Sequence, residues 1–131
     1  MSKHGKVVRF AWGRRSLSEV LIDHSLASLG DSYINFVYSL VVSNRRTKPS
    51  GTKVKGSMLA EALRKAGLRG YLPSRTSRHS LADAAEALIL YAWLSNCVSL
   101  DEGVAIIAKE EDPVKGLSQL LTVIKNRITF P

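Results

Sequence analysis

The chain has 131 residues, a formal net charge of +8 and a pI near 9.9. This length suits a single domain that can bury a sizeable core. The single cysteine, Cys97, excludes an intrachain disulfide and a cysteine-rich zinc site. No signal peptide is evident, and the apolar runs are too short to span a bilayer, so we expect a cytoplasmic protein without a membrane partner.

Positive charge is concentrated in residues 1–100, which hold 15 Lys and Arg against 6 Asp and Glu. Residues 101–131 hold 4 against 5. A basic body of this kind indicates binding to nucleic acid or to an acidic membrane surface. A basic protein without such a partner is the alternative explanation.

Residues 1–15 form a predicted basic arm without a single acid, and residues 16–131 a single helical domain. The basic residues of the arm alternate with apolar ones, so part of the arm is expected to pack on the domain. Ser16 or Ser18 is expected to cap a first short helix. The basic residues of the arm are Lys3, His4, Lys6, Arg9, Arg14 and Arg15.

Apolar residues at helical spacing then predict a long helix from about Ser25 to Ser43. Gly30 stands in its middle, where glycine costs about 1 kcal/mol relative to alanine. Close approach of another helix or of a ligand beside Asp31 would compensate for that cost. A short helix is expected from Lys55 to Ala66, ended by Gly67.

Three further helices complete an all-α prediction without convincing strands. The first starts near Ser80, which would place Asp83 at its third position, and runs to about Leu94. Ser99 is expected to cap the second. Pro113 is expected to begin the last, with acidic residues just ahead of it.

Three carboxylates, those of Asp31, Asp83 and Glu86, lie in strongly apolar helical sequence. A buried carboxylate is costly unless it is paired or binds a cation. Asp83 and Glu86 are three residues apart and share a helix face. No Lys or Arg falls within four residues of Asp31 or Glu86, so a divalent metal such as Mg²⁺ is a natural partner. For Asp83, a place in the first helical turn is a competing explanation.

Two basic stretches, residues 44–53 and 68–78, are predicted loops that flank the acidic helices in sequence. They are solvated surface or contacts for the phosphates of a nucleic acid. The candidate phosphate contacts are Arg45, Arg46, Lys48, Lys53, Lys55, Arg75 and Arg78.

These motifs resemble the ribonuclease III catalytic domain. That family carries an LGD motif on one helix and a DxxEA motif on another, and here they are Leu29-Gly30-Asp31 and Asp83-Ala84-Ala85-Glu86-Ala87. Leu59-Ala60-Glu61 matches a stretch between them. The likeness covers about residues 17–95 and, more loosely, the C-terminal helices. The short bacterial "mini" form, which lacks the double-stranded-RNA-binding domain, is most similar, with LAYIGD against LASLGD here.

The resemblance implies an all-helical homodimeric endonuclease that cleaves double-stranded RNA with Mg²⁺ (or Mn²⁺) held by carboxylates. Asp31, Asp83 and Glu86 match the metal-binding, catalytic acids of the two motifs. Asn35 stands where the family often has a further acid, and Ser57 where it has a polar residue. We also consider His79, and equally His24, as an accessory acid–base or phosphate-contacting group, with a solvated histidine as the alternative.

One position departs from the family pattern, because Ala27 replaces a glutamate that usually precedes the LGD aspartate by four residues. Asp23 could substitute only if one helix ran through both residues. Two hypotheses therefore stay open: a metal-dependent endoribonuclease, and a catalytically weak or inactive RNA-binding, ribosome-associated protein of the same fold. A helical protein-interaction domain without any RNA role is a third.

Overall fold

The computed structural model describes residues 7–131, and this part of the chain contains six α-helices, one short 3-10 helix and no strand. The all-α prediction is confirmed. The predictions for Lys3, His4 and Lys6 concern residues outside the described part. The helices are α1 Leu17–Leu21, α2 His24–Arg46, α3 Gly56–Lys65, α4 Arg78–Leu94, α5 Leu100–Ala108 and α6 Pro113–Arg127, with the 3-10 helix Arg69–Tyr71 between α3 and α4.

Most helix ends follow the local signals in the sequence. The side chains of Ser16 and Ser99 each accept a backbone N–H from the first turn of α1 and α5. Pro113 is the first residue of α6, and Asp112 caps it. Gly67, with φ of 76°, follows the end of α3. These predictions are confirmed because each signal acts within a few residues.

Two helices begin or end away from the predicted positions. Helix α2 continues through Arg46, so residues 44–46 are helical and the predicted loop starts only at Thr47. Helix α4 is capped by Ser77, whose hydroxyl accepts the N–H of Ser80, so Ser80 is not its cap. Asp83 therefore lies in the second turn, where the free N–H groups of the helix start no longer explain it. The predicted position of Asp83 at N3 was wrong.

Helix α4 is the centre of the domain. Nearly every side chain from Leu81 to Leu94 is buried, as expected of a helix that is apolar on all sides. Helices α1, α2, α3 and α6 pack around it, and α5 packs on α2 and α6. The two helices that carry the motif carboxylates, α2 and α4, are thus direct neighbours.

Helices α2 and α4 cross at Gly30. A Cβ atom built there would overlap the carbonyl oxygen of Glu86 and would lie 2.6 Å from its carbonyl carbon. The predicted close approach beside Asp31 is therefore that of another helix. Because Asp31 follows Gly30 directly, this crossing places Asp31 beside Glu86.

The described part of the arm packs on α4, as expected. The Trp12 ring is buried and lies edge-on to Tyr91, with ring centroids 5.6 Å apart. Tyr91 also stacks on Phe130, with ring centroids 5.8 Å apart. Arg14 forms an ion pair with Asp23 at the start of α2. The arm therefore connects the centre of the domain to the helix that carries Asp31.

We predict that Gly30→Ala lowers the free energy of unfolding by about 2 kcal/mol or more. Overpacking commonly costs about 1–3 kcal/mol, and here the overlap involves backbone atoms that cannot rotate away. The matched control is Gly103→Ala inside α5, where the new Cβ would meet nothing closer than 3.9 Å and helix propensity favours alanine by up to about 1 kcal/mol. Urea unfolding of both variants checks this; equal stabilities would contradict the tight crossing.

Candidate active site

A cleft of about 420 Å³ opens where α2 crosses α4. Asp31 enters it from α2, and Asp83 and Glu86 enter it from α4. The structure thus brings together the three carboxylates singled out in the sequence, although the two motifs lie far apart along the chain. The lining residues are His24, Ala27, Ser28, Asp31, Val54, Gly56, His79, Ala82, Asp83 and Glu86.

Glu86 is the one buried charged side chain in residues 7–131, with 7% of its surface exposed. Burial raises its pKa to about 8, assisted by a hydrogen bond with Asp31 and by the negative charges of Asp31 and Asp83. Glu86 therefore carries a proton around neutral pH as long as no cation compensates its charge. A carboxyl group in this state is a strong candidate for a functional group.

Asp83 lies between two histidines at the mouth of the cleft. Its Oδ2 is 3.6 Å from Nε2 of His79 on the same helix and 4.0 Å from Nδ1 of His24 on α2. Both imidazoles are largely exposed. Within residues 7–131, no Lys or Arg forms an ion pair with any of the three carboxylates. Permanent positive charge from the described residues therefore does not neutralise this site.

The donor chemistry of the cleft fits Mg²⁺ or Mn²⁺, which prefer carboxylate oxygens and water. In residues 7–131 no three His, Cys, Asp or Glu side chains are already arranged as a ligand set for a metal ion. The side chain of Asp31 is exposed and accepts a hydrogen bond from the Asn35 amide. Because the charged form of Glu86 is penalised by its neighbours, a divalent cation would relieve both its burial and this repulsion.

Position 27 adds no ligand, and the expected substitute is not available. Ala27 is buried against the cleft. The Asp23 side chain accepts the N–H of Leu26 as the N-cap of α2 and pairs with Arg14. Because Asp23 is engaged at the start of α2 and does not line the cleft, the structure does not support it as a substitute for the missing glutamate.

Of the two further polar candidates, Asn35 contacts the site and Ser57 does not. The Asn35 amide donates to Oδ1 of Asp31 at 3.3 Å, and its carbonyl oxygen accepts the N–H of Val54 at 2.7 Å. That oxygen is therefore engaged by the backbone, and Asn35 orients Asp31. Ser57 is exposed in the first turn of α3 and does not line the cleft.

All seven basic candidates are exposed and lie on the surface: Arg45, Arg46, Lys48, Lys53, Lys55, Arg75 and Arg78. Lys55 precedes Gly56, and Arg78 precedes His79, so both flank residues that line the cleft. Arg45 is different, because its guanidinium donates to the carbonyl oxygens of Ala108 and Glu110 after α5, at 3.2 and 2.8 Å. These two hydrogen bonds connect the end of α2 to the end of α5.

A family model described as Ribonuclease III matches residues 24–129, from the first turn of α2 to the end of α6. The match includes both helices that carry the carboxylates. A search of curated proteins returned no match. No helix within residues 7–131 is long and apolar enough to cross a membrane.

The raised pKa of Glu86 predicts how the stability of the metal-free protein changes with pH. The folded state holds this proton more tightly than the unfolded chain, whose carboxyl has an ordinary pKa near 4.5. The contribution is therefore fully present below about pH 4.5 and is lost as the pH rises through about 8. Urea unfolding in EDTA should show this decline in the wild type.

The decline should disappear in Glu86→Gln and persist in Glu111→Gln, which changes an exposed carboxyl far from the cleft. If the wild type and Glu86→Gln follow parallel curves, Glu86 does not titrate in this range and the description of the site is wrong.

Proposed function

The chain belongs to the ribonuclease III family, and from this membership we propose that it is a metal-dependent endoribonuclease that cleaves double-stranded or structured RNA. The observation that carries the proposal is Glu86, a buried acid that shares a cleft with Asp31 and Asp83. A buried acid of this kind destabilises a domain unless its charge is compensated by a binding partner. A cleft with such an acid, and with the exposed Lys55 and Arg78 next to lining residues, suits the binding of a cation and a phosphate.

Asp31, Asp83 and Glu86 would hold the Mg²⁺ or Mn²⁺. When bound, such an ion lowers the pKa of an attacking water and offsets charge on the scissile phosphate. The protein contributes a fixed frame: Asn35 orients Asp31, and the Gly30 crossing fixes the separation of α2 and α4. His79 and His24 flank Asp83 at the mouth of the cleft and are proposed to orient it or to contact a phosphate.

The exposed basic residues near the cleft suit the backbone of an RNA duplex. Lys55 and Arg78 flank the cleft, and Lys53 and Arg75 lie near them along the chain. Contacts of this type provide affinity without reading sequence, and A-form RNA is recognised mainly by its shape and its 2′-hydroxyl groups. We therefore propose a double-helical region as the substrate.

We further propose that the protein is a homodimer that pairs through the outer face of α2. Leu29 and Phe36 are seven residues apart, so they share one face, and 43% and 54% of their surfaces are exposed. Phe10, 43% exposed, lines the same groove as Leu29. Neighbouring exposed large apolar side chains mark an interaction surface, and a self-complementary face gives a closed twofold dimer.

One observation favours the second hypothesis, a catalytically weak RNA-binding or ribosome-associated protein. Ala27 leaves the cleft without the carboxylate that the family usually has at this position. A site with one carboxylate ligand fewer binds the metal more weakly. The exposed basic residues would still bind RNA.

We predict that the wild type cleaves a long RNA duplex with Mg²⁺ or Mn²⁺, and that EDTA abolishes the cleavage. Asp31→Asn and Glu86→Gln should each lower the rate about a hundredfold or more, because losing one preorganised electrostatic contact commonly costs about 10²–10³ in rate. The control, Asp101→Asn, changes an exposed carboxylate on α5 and should retain the wild-type rate. Gel analysis of time courses measures all four proteins.

If the wild type leaves the duplex intact at high enzyme and metal concentrations, the endonuclease proposal fails. Binding of the same duplex with a steep dependence on salt would then support the non-catalytic hypothesis.

The proposed dimer predicts a mass of twice 14.4 kDa in sedimentation equilibrium. Leu29→Glu combined with Phe36→Glu should yield monomers, because charges buried in an apolar interface are costly. Tyr71→Glu is the control, since Tyr71 is also exposed but lies on the 3-10 helix. A wild type that sediments as a monomer at micromolar concentration would contradict the proposed dimer.

A further inference from the structure

Polar side chains on one face of α2 hold the extended segment 50–54 through its backbone. The hydroxyl of Ser43 donates to the carbonyl oxygen of Ser50 at 3.0 Å and accepts the N–H of Ser50 at 2.8 Å. One turn earlier, the Ser39 hydroxyl makes the same pair of bonds with Thr52, at 3.0 and 2.9 Å. We call these contacts, with the bond between Asn35 and Val54, the polar zipper.

The polar zipper is possible because two spacings coincide. Four residues of helix advance about 6 Å, and two residues of extended chain advance about 6.6 Å. In extended chain, the N–H and C=O of alternate residues point to the same side, so residues 50, 52 and 54 can all face α2. The segment is therefore held like an edge strand, with side chains on a helix in place of a partner strand.

Burial of the side chains in this segment alternates with the same two-residue period and leaves two lysines exposed. Ser50 and Thr52 are half-buried and Val54 is buried, whereas Gly51, Lys53 and Lys55 are exposed. The Cα atoms of Lys53 and Lys55 are about 7 Å apart if the backbone between them is extended, a separation comparable to that of successive phosphates along a nucleic-acid strand. Because their backbone is already fixed, binding a phosphate orders only the two side chains.

The polar zipper also leads to the cleft. Val54 and Gly56 line the cleft beside Asp31. Asn35 bonds to both Val54 and Asp31, so it joins the end of the segment to a carboxylate of the site. A strand held by Lys53 and Lys55 would therefore lie next to the cleft.

We propose that the polar zipper is an RNA-positioning device, which presents Lys53 and Lys55 as a preformed clamp on successive phosphates of one strand of an RNA duplex. This inference rests on the proposed function only for the identity of the substrate. Asn35, Ser39 and Ser43 are positioning residues, since they act through the backbone of residues 50–54 and not on the RNA itself.

The test combines Ser39→Ala with Ser43→Ala, which removes four hydrogen bonds while alanine favours the helix. Affinity for an RNA duplex is measured in EDTA over a series of salt concentrations. We expect binding about tenfold weaker, and a salt dependence lower by about two phosphate contacts, one for each lysine. Lys53→Ala with Lys55→Ala should give the same change, and all four substitutions together should add nothing.

Ser118→Ala is the matched control, a serine on α6 far from the cleft, and it should bind RNA as the wild type does. Hydrogen exchange should show the amides of Ser50 and Thr52 protected in the wild type and released in the double serine variant. If these amides exchange equally in both proteins, the polar zipper does not hold the segment and the proposal is wrong.

A second outcome overturns the proposal and leaves the proposed function standing. In that outcome the amides are released, but the double serine variant keeps the affinity and the salt dependence of Ser118→Ala. Failure of the wild type itself to bind duplex RNA would overturn both proposals, and it is distinguishable because the hydrogen-exchange result does not depend on RNA.

Discussion

The contact between Gly30 and the backbone of Glu86 is the constraint on which the rest of the structure depends. Glycine lets α2 approach α4 so closely that no side chain fits between them. The approach has an electrostatic cost, because it buries Glu86 next to Asp31 and raises its pKa to about 8. The apolar packing of α4 on all sides offsets that cost. The domain thus contains a cleft in which ionisation of Glu86 lowers stability, because burial and the neighbouring carboxylates disfavour its charged form.

Sequence reasoning succeeded where the determinants are local or form a motif. Ser16, Ser99 and Pro113 each set a helix start within their own first turn, so neighbouring residues suffice to predict them. The start of α4 was misplaced because Ser77 and Ser80 are both good caps, and the choice depends on how the preceding loop leaves α3. The periodicity of apolar residues alone could not predict that Asp31 and Glu86 lie close together in space. The glycine inside an apolar helix and the order of the two motifs indicated this proximity.

Polar side chains whose partners are backbone groups far along the chain could not be recognised from local sequence. Arg45 looked like a free cation in a loop, yet it binds carbonyl oxygens at the end of α5. Ser39 and Ser43 carry no signal in the sequence that singles them out. Their role becomes visible only when the path of residues 50–54 is known. Such contacts leave no periodic pattern, because any exposed serine or arginine has the same local signature.

The central position of α4 has a consequence for the order in which the chain folds. Helices α1, α2 and α3 precede α4 in sequence, and each packs against it. During synthesis their apolar faces therefore stay uncovered until α4 has been made. The contact between Gly30 and Glu86 forms only after the long chain segment between them has been brought together. A nascent chain that ends before Ser77 would display much of its future core to solvent. Because α4 is central, burial of the apolar faces of α1, α2 and α3 depends on prompt synthesis of the second half of the chain.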